Sequence, residues 1–393
     1  MRIPRLDVNK GTFSTDIWNR FCLRYGEKRA KKLIFSLSKP VKNFSLRITL
    51  TTTSREIIID DLEQIGWKTK IHNTLKDMIT VETIGPMDVP YLQHAPRIVI
   101  DKIAAESILT GSDLFGLGII NVPKFNAGEI VSLVSQKDQI VAIGKSKTNS
   151  KYPKKPGIAV LNMRSFYKVP SLRNLSFFDS GKAYSQSIPA AYTVHILDPK
   201  PGEKIIDLCA APGGKSTGAA ILSNNKAKII SFDRSKKRLK KMEEIIKNEK
   251  LKNIKTVNVY SLEYLKNHKI KADKVIVDPT CSAIGVRPKI YEETTTKEIL
   301  SAANYQKSFL KMAAEIVRKK GTITYSKCTL EPEENEKNIA YAVNELGLKL
   351  VEPDFNLGTI GEETNDGLIL EYMRRFYPDE SDTVGFFVAK LSK

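Results

Sequence analysis

The sequence is poor in cysteine, with four among 393 residues and no CxxC pair. Cys22 stands near the start, and the gaps between Cys209, Cys281 and Cys328 are 72 and 47 residues. Structural zinc sites need closely spaced ligands, so this spacing excludes a zinc knuckle, and we expect no bound metal. Isolated thiols of intracellular proteins are usually small buried side chains, so any reactivity must be argued from their surroundings.

Long apolar runs are also absent. No stretch approaches the roughly 20 apolar residues that cross a bilayer. The opening MRIPRLDVNKGTFSTD has no continuous apolar core of the kind that a secretory signal requires. We therefore expect a soluble, monomeric protein of the cytoplasm without a membrane partner.

Negative charge is in short supply, because 44 Asp and Glu face 63 Lys and Arg, which gives a net charge of +19 and a pI near 9.5. A hydrophobic fraction of 41% excludes wholesale disorder. Each phosphate that Lys or Arg neutralises adds affinity, so the surplus favours a nucleic acid as partner. An anionic membrane surface is the alternative.

The lack of acids is most pronounced from Gln139 to Phe178, where there are none. Short strand-like runs with regular glycines begin at about Pro96 and predict a small β-barrel. Phe166 and Tyr167 lie among the basic residues, which suggests a surface for RNA phosphates and stacked bases. A solvated lysine-rich loop with a linker is an equal alternative. The candidate RNA-binding residues are Lys145, Lys147, Lys151, Tyr152, Lys154, Lys155 and Arg164.

After Pro199 the pattern becomes strand, loop and helix. The runs EKIIDL, AKIISFD, DKVIVD and GTITYS are short and rich in β-branched residues, and helical stretches follow most of them. Strands that alternate with helices predict an α/β fold whose parallel sheet is covered on both faces. The closing VGFFVAKL has no helix after it and predicts an added antiparallel edge strand.

Three of the four cysteines follow strands of this predicted sheet. Cys209 follows EKIIDL, Cys281 follows DKVIVDPT, and Cys328 follows GTITYSK. Ligands of open α/β sheets bind at the carboxyl ends of the strands. A random scatter would seldom place three cysteines there, so we expect at least two to be functional.

The loop DLCAAPGGK links the first strand to a helix. Gly213 and Gly214 would let the backbone approach a ligand, and the helix N-terminus offers free N–H groups. Asp233 ends the second strand, where a carboxylate can accept hydrogen bonds from a ribose diol. Neither a dinucleotide glycine pattern nor a phosphate-binding loop is present, so an adenosyl cofactor without phosphates fits better. The alternative is that Asp233 only caps the next helix.

Three motifs resemble those of the Sun-domain, RsmB-like RNA cytosine-5 methyltransferases. They are DLCAAPGGK, DPTCSAIGVRP and YSKCTLEPEENE, in that order, within a resemblance that covers about Tyr184 to Lys390. Residues from Pro96 to about Tyr167 separately resemble a PUA domain, a β-barrel that binds structured RNA. The combination resembles the PUA-containing subgroup that modifies cytidines near the 3′ acceptor end of transfer RNA in archaea and animals. It implies a Rossmann-like, S-adenosyl-L-methionine-dependent methyltransferase domain.

The resemblance also implies roles for individual residues. Cys328 would add to C6 of cytosine as a thiolate, and Cys281 would assist release of the product. Asp278 would hydrogen-bond N3 and the exocyclic amine. Lys215 would contact the base or favour the thiolate. The implied cofactor contacts are Cys209, Ala210, Ala211, Pro212, Gly213, Gly214, Lys215, Asp233, Arg238, Tyr260 and Asp278.

The chain departs from the family pattern at three places. Thr280 stands where the family usually has Pro, and Lys327 stands where it usually has Thr. Neighbours on a strand point to opposite faces, so their adjacency alone does not imply that Lys327 activates Cys328. Tyr260, or Ser261 in a shifted register, replaces an Asp that contacts the adenine. This replacement implies either weak cofactor binding or a ring that stacks on adenine.

These features predict methylation of cytosine C5 in RNA, with transfer RNA as the substrate and S-adenosylmethionine as the cofactor. The alternatives are an RNA-binding protein with a decayed cofactor site and a ribosomal RNA cytosine-5 methyltransferase. We predict an N-terminal α+β domain over 1–92, a PUA domain over 93–168 and a catalytic domain over 169–393. Removal of residues 1–168 should then leave cofactor binding intact.

Overall fold

The computed structural model describes residues 12–151, 157–171, 175–364 and 366–393. Its chain packs into two compact units, each built from separate segments. The first comprises Met1–Phe44, Glu82–Ser171 and Arg287–Thr295, and the second comprises Ser45–Val81, Leu172–Val286 and Thr296–Lys393. The predicted N-terminal domain over 1–92 is thus divided between the units, and the three-part division by function stays a prediction.

The elements are numbered in chain order. The helices are α1 (Thr15–Leu37), α2 (Arg55–Gln64), α3 (Lys102–Ile108), α4 (Ser176–Asp179), α5 (Ile188–Leu197), α6 (Gly214–Leu222), α7 (Lys236–Asn248), α8 (Ser261–His268), α9 (Thr296–Ile316) and α10 (Glu336–Asn344). The strands are β1 (Asn43–Ile48), β2 (Thr69–Ile71), β3 (Met78–Glu82), β4 (Arg97–Ile100), β5 (Leu114–Phe115), β6 (Ile119–Asn121), β7 (Ile130–Ser135), β8 (Ile140–Ser146), β9 (Ile158–Ser165), β10 (Ala183–Ser185), β11 (Lys204–Asp207), β12 (Lys228–Phe232), β13 (Ile254–Val257), β14 (Ala272–Val277), β15 (Val317–Lys327), β16 (Lys349–Val351), β17 (Thr359–Ile360), β18 (Met373–Phe376) and β19 (Phe386–Ser392).

A six-stranded sheet forms the centre of the first unit, with the strand order β5-β9-β8-β7-β4-β6. β4 and β7 pair in parallel, and the other neighbours pair antiparallel. Its apolar side chains, such as Ile98, Leu133 and Val160, are buried in one core. β8 and β9 approach so closely that a Cβ on Gly144 would lie 2.5 Å from the carbonyl oxygen of Leu161, so this position requires glycine. This sheet occupies the range in which the sequence predicts short strands.

The segment Arg287–Thr295 belongs to the first unit, although it lies between β14 and α9 of the second unit in the chain. The backbone N–H of Lys289 donates to the carbonyl of Leu37 at 2.8 Å. The Tyr291 hydroxyl donates to Oε1 of Gln136, also at 2.8 Å. These bonds connect residues far apart in sequence, so the first unit is completed only by this late segment.

A nine-stranded sheet forms the centre of the second unit, with the order β13-β12-β11-β14-β15-β19-β18-β17 and β16 paired to β19. The five neighbouring strands β13, β12, β11, β14 and β15 are parallel to one another. Consecutive side chains of β11 enter different cores: Ile205 packs with the α5 and α6 side chains, and Ile206 packs with those of α9. Helices therefore cover both faces, and the predicted α/β class is confirmed.

The closing strand, β19, is antiparallel as predicted, but its predicted place at the edge of the sheet is wrong. It lies between β15 and β18. β18 has the sequence MRRF, in which all four residues are buried. Its Arg375 is buried because Nη2 pairs with Oε2 of Glu336 at 2.5 Å and Nη1 donates to the carbonyl of Leu330 at 2.9 Å. Polarity alone does not reveal such a strand, because the partners of the arginine lie elsewhere in the sequence.

A buried arginine ties the segment Ser45–Val81 to the large sheet. Arg47 lies on β1, which pairs antiparallel with β10. Its Nη1 donates to Oε1 of Gln186 at 3.0 Å and also to the carbonyl of Gly214. Its Nη2 donates to Oγ1 of Thr217 at 2.7 Å and to Oε1 of Glu249 at 2.8 Å. Both members of the ion pair are 1% exposed. The buried guanidinium therefore fixes the position of the start of α6 through its bonds to Gly214 and Thr217.

We expect Arg47→Met to lower the free energy of unfolding by about 3–5 kcal/mol, because it leaves the Glu249 carboxylate buried without its cation. Urea unfolding followed by circular dichroism measures this loss. Lys200→Met is the control, since Lys200 and its partner Asp198 form an exposed pair and its removal should change nothing measurable. An Arg47→Met protein as stable as the control would contradict the structural role of this pair.

Candidate active site

An open cleft lies at the carboxyl ends of the parallel strands of the second unit. Its empty volume, including solvent at the mouth, is about 860 Å³. Loops that follow parallel strands meet at one edge of the sheet, which is where ligands bind in such folds. The cleft brings together seven of the predicted site residues: Cys209, Asp233, Arg238, Tyr260, Asp278, Cys281 and Cys328.

The loop between β11 and α6 begins at a buried carboxylate. Oδ2 of Asp207 accepts from the Ser216 hydroxyl at 2.7 Å, and Oδ1 accepts from the N–H of Cys209 at 3.3 Å. Burial raises the pKa of Asp207 to about 6, although the Ser216 hydroxyl favours the charged form. Gly213 has a φ of +113°, and a Cβ there would lie 2.7 Å from Cγ of Met242, so glycine is required. Between Asp207 and the body of α6 lie the other predicted loop residues, Ala210, Ala211, Pro212, Gly214 and Lys215.

Asp233 follows β12 and is 6% exposed at the wall of the cleft. Oδ2 accepts from the N–H of Ala211 at 3.2 Å, and Oδ1 accepts from the N–H of Ser235 at 2.8 Å. Arg238 places Nη1 3.5 Å from Oδ2 and donates through Nη2 to the carbonyl of Ala211. Each carboxylate oxygen can accept a second hydrogen bond. The carboxylate thus supports the loops and still faces the cleft, so it can also accept from a ligand.

Tyr260 occupies the wall where the resembling family usually has an Asp. Its ring meets the Phe309 ring edge-on at 6.2 Å between centroids, and Phe309 meets Tyr305 edge-on at 5.0 Å. The Ser261 hydroxyl donates to the carbonyl of Leu208 at 2.9 Å, so its polar atom is engaged by the protein. The cleft therefore has an aromatic wall here. Neither Tyr305 nor Phe309 stands out as a site residue in the sequence, because both lie on α9, far from any motif.

The two thiols of the predicted chemistry are in contact. Sγ of Cys281 lies 3.2 Å from Sγ of Cys328, a distance at which one thiol donates to the other. This hydrogen bond lowers the pKa of Cys281 and raises that of Cys328 well above its usual value, as expected when the Cys328 thiol donates to the Cys281 sulfur and the two titrate together. Burial raises the pKa of Cys209, so this third thiol stays protonated. Its predicted place in the cofactor loop rather than in the reaction fits this state.

Two lysines face the carboxylate of Asp278. Nζ of Lys215 donates to Oδ2, and Nζ of Lys327 lies 3.7 Å from Oδ1. Burial alone would raise the pKa of Asp278, but the two ammonium groups outweigh it and hold the pKa below its usual value. For Lys215, burial is likewise outweighed by Asp278, and its pKa is raised. Asp278 is therefore a carboxylate at neutral pH and accepts hydrogen bonds only.

A buried polar network supports the loops that carry the two thiols. Oε2 of Glu334 accepts from the N–H of Ser282 at 3.0 Å and from Nε2 of Gln306 at 2.7 Å. The Tyr325 hydroxyl donates to Oε1 of Gln306 at 2.8 Å. Ser282 follows Cys281, and Tyr325 lies three residues before Cys328, so the network fixes both loops. The acidic run in YSKCTLEPEENE is the sequence signal for this network, but the motif alone does not indicate the role.

The predicted RNA-binding residues belong to the first unit, and the structure gives them different environments. Phe166 and Tyr167 are each 7% exposed and pack in the core, so the expectation that they stack on bases is wrong. Both rings are unavailable to bases because they complete the core under the six-stranded sheet. The exposed members of the predicted set are Lys145, Lys147, Lys151 and Arg164, whereas Tyr152, Lys154 and Lys155 lie outside the described residues.

Potential metal ligands do not cluster in the part of the chain that the structure describes. Among those side chains, no group of three or more His, Cys, Asp and Glu could hold a metal ion. No helix in the described ranges combines the length and apolar character needed to cross a membrane.

Comparisons with known proteins agree with this geometry. Residues 194–392 match the family described as 16S rRNA methyltransferase RsmB/F, and residues 96–162 match the PUA domain. A tRNA (cytosine(72)-C(5))-methyltransferase of Pyrococcus horikoshii is 37% identical over 94% of both chains. The tRNA (cytosine(72)-C(5))-methyltransferase NSUN6 of Homo sapiens is 25% identical over 98% of this chain and 96% of its own.

Among solved structures, NSun6 from Pyrococcus horikoshii with SFG, an S-adenosylmethionine analogue, superposes with a TM-score of 0.88. That comparison covers 97% of this chain and 98% of the other, at 36% identity. The Rossmann-like fold and the PUA domain expected from the sequence are thereby confirmed. The chain belongs to the RsmB/F methyltransferase family.

Proposed function

We propose that this protein methylates C5 of a cytosine in transfer RNA near the 3′ acceptor end, with S-adenosylmethionine as the methyl donor. The observation that carries the proposal is the contact of Cys281 and Cys328 at 3.2 Å beside the ionised Asp278. The relatives from Pyrococcus horikoshii and Homo sapiens are both named for cytosine 72 of transfer RNA. Cytosine 72 is accordingly the candidate nucleotide.

The thiol pair supplies a nucleophile. C5 of cytosine is a weak nucleophile, and addition of a thiolate to C6 moves the C5–C6 electron pair to C5. Cys328 attacks C6 as a thiolate after its proton has passed to solvent, and its sulfur becomes an uncharged thioether. After methyl transfer the Cys281 sulfur, as a thiolate, takes the proton from C5. The C5–C6 double bond re-forms and the electron pair of the C6–S bond returns to Cys328, which restores the aromatic base and the free Cys328 thiolate.

Asp278 selects the base. An ionised carboxylate accepts from the exocyclic amine of cytosine, whereas the carbonyl oxygen of uracil would be repelled. A carboxylate without a proton does not donate to N3, so the sequence-based expectation of a bond to N3 is assigned instead to the ammonium of Lys215, which lies against Asp278. That positive charge also stabilises the negative charge that develops on the ring during attack.

The cleft fits the cofactor through residues of complementary chemistry. Asp233 faces it with a carboxylate suited to a ribose diol, and Tyr260 and Phe309 offer an aromatic wall to an adenine. Cys209, on the loop between β11 and α6, also lines the cleft. S-adenosylmethionine supplies an electrophilic methyl group when bound. The aromatic wall favours the stacking interpretation of Tyr260 over a decayed site.

The first unit would position the RNA through exposed basic residues. Lys145 and Lys147 lie on and just after β8, Arg164 lies on β9, and all three are exposed. The PUA match at 96–162 supports this role. We propose that the protein acts as a monomer in the cytoplasm, where transfer RNA is available.

The thiol roles predict different outcomes for two variants. Cys328→Ala should abolish methylation and covalent RNA capture, because C6 loses its nucleophile. Cys281→Ala should accumulate a protein–RNA adduct on denaturing gels, because release is impaired. Cys22→Ala, which changes a cysteine of the first unit, is the control and should behave as wild type. Identical behaviour of the Cys328 and Cys281 variants would refute the assignment.

Asp233→Ala should weaken S-adenosylmethionine binding by roughly 1.5–3 kcal/mol, the range for hydrogen bonds to a charged group. Isothermal titration calorimetry measures this change. Asp354→Ala removes a carboxylate that is 61% exposed and should leave the affinity unchanged. Failure of the wild-type protein to bind the cofactor, with or without RNA, would favour an RNA-binding protein with a decayed site.

Charge reversal at Lys145, Lys147 and Arg164 together should weaken binding to transfer RNA. The slope of log affinity against log salt should flatten by about 0.7–0.9 for each phosphate that the protein no longer neutralises. Filter binding over a range of salt concentrations gives both quantities. A matched triple reversal at Lys319, Lys320 and Lys349, on the second unit, should have a smaller effect. Equal losses of affinity for both triple variants would show only a general charge effect and would refute this surface.

A further inference from the structure

Lys327, one of the two lysines beside Asp278, has an unusual placement. Lys327 ends β15 and is fully buried. Its Nζ donates to the carbonyl of Pro279 at 2.6 Å, lies 3.7 Å from Oδ1 of Asp278, and lies 5.0 Å from the centroid of the Tyr325 ring. Removing an ammonium from water is costly unless such partners compensate it. Two of these partners belong to the loop that carries Cys281.

The strand register explains how the side chain reaches this loop. Val277, the last residue of β14, pairs in parallel with Tyr325 of β15. Two residues further on, Lys327 stands level with Pro279, where β14 has already ended. The long side chain of Lys327 therefore turns toward the loop after β14, which brings its ammonium close to Asp278. The Cβ atoms of Lys327 and Cys328 nevertheless point to opposite faces, as expected for neighbours on a strand. The alternation rule describes the Cβ direction and does not fix the position of the charge.

The charges around Asp278 come from three elements. Lys215 on α6 and Lys327 on β15 are positive, and Asp207 at the end of β11 is negative when ionised. The other titratable groups there are the thiols Cys209, Cys281 and Cys328, the Tyr325 hydroxyl, and the carboxylate of Glu334, which acts on Cys281. With both lysines present, two positive charges oppose the carboxylates of Asp207, Asp278 and Glu334. Without Lys327 only Lys215 opposes them, and the excess of negative charge disfavours a thiolate.

We propose that Lys327 is a positioning residue that holds the Asp278–Cys281 loop against the end of β15 and supplies the positive charge that a thiolate in this cleft requires. The expected effect of Lys327 on methylation rests on the proposed function, whereas its effect on thiol ionisation does not. The resembling family usually has Thr at this place, so Lys327 adds a charge that the family motif lacks.

The pKa shifts of the two thiols agree with this role of Lys327. The hydrogen bond from Cys328 contributes most to the lowered pKa of Cys281, and Lys327 lowers it further against the effect of burial. Lys327 also opposes the rise in the pKa of Cys328. An opposite charge close to a titratable group shifts its pKa by about 1–3 units, so the loss of Lys327 should be measurable.

The test measures the pH dependence of iodoacetamide labelling at Cys281 and Cys328 by mass spectrometry, in the full-length protein without RNA. Lys327→Gln keeps a donor for Pro279 but loses the charge, and Lys327→Thr restores the residue usual in the family. Lys327→Arg keeps the charge. Lys274→Met is the matched control, since Lys274 is also a buried lysine but lies within β14, before the loop that carries Cys281, and pairs with Glu203.

We expect both neutral variants to move the first thiol titration up by about one pH unit, so that labelling at pH 7 slows roughly tenfold. Lys327→Arg should restore most of the wild-type profile, and Lys274→Met should not alter it. If Lys327→Gln does not fold, Lys327→Thr decides. An unchanged thiol profile in whichever neutral variant folds overturns the proposal, because a purely structural lysine would lower stability without moving the titration.

Methylation gives a second readout. Single-turnover rates of the neutral variants should fall about tenfold near pH 7 and recover toward the wild-type rate at higher pH, where the thiol ionises without help. A rate loss that is the same at every pH would contradict the charge role of Lys327. If the wild-type protein methylates no transfer RNA, the proposed function fails, while the labelling experiment still decides the role of Lys327.

Discussion

The parallel register of β14 and β15 is the constraint on which the cleft depends. Val277 pairs with Tyr325, so the loops that leave these two strands begin at the same edge of the sheet. Cys281 and Cys328 are 47 residues apart in the chain, and this pairing brings their sulfur atoms to 3.2 Å. A slip of the register would separate the thiols and reverse the faces on which alternate side chains lie. The dense core beneath the strands, with Val275, Val277, Ile323 and Tyr325 all buried, makes such a slip costly.

Charge compensation is the second condition, because the site combines burial with ionised groups. Asp207, Asp278, Lys215 and Lys327 come from four elements, and each is unfavourable when buried alone. Together they keep one carboxylate ionised and keep positive charge next to the thiols. Glu334 and Gln306 then hold the backbone, so that the reactive side chains stand on loops whose positions are fixed by buried hydrogen bonds.

Much of this arrangement could be predicted from local sequence, since strand patterns and three motifs name the loops that meet at the cleft. What could not be predicted depends on contacts between distant residues. The burial of Arg47 and Arg375 requires partners from other segments, so neither the place of Ser45–Val81 in the second unit nor the interior position of β19 is visible in local polarity. Their basic neighbours in the sequence suggest that Phe166 and Tyr167 face RNA, yet both rings are buried in the core of the first unit. That removal of residues 1–168 leaves cofactor binding intact stays a prediction, and the deletion would also remove Arg47, which bonds the start of α6.

The interleaving of the two units has a consequence for how the chain acquires its structure. A ribosome releases the chain from the N-terminus, and domains generally fold as they emerge. Here the first unit lacks Arg287–Thr295 until most of the parallel strands of the second unit have been made, and the second unit already holds Ser45–Val81 before the six-stranded sheet exists. Neither unit can therefore finish while the other is still unmade. Early segments must wait for partners far along the chain, so we expect long loop closures to slow folding and the two units to form together rather than one after the other.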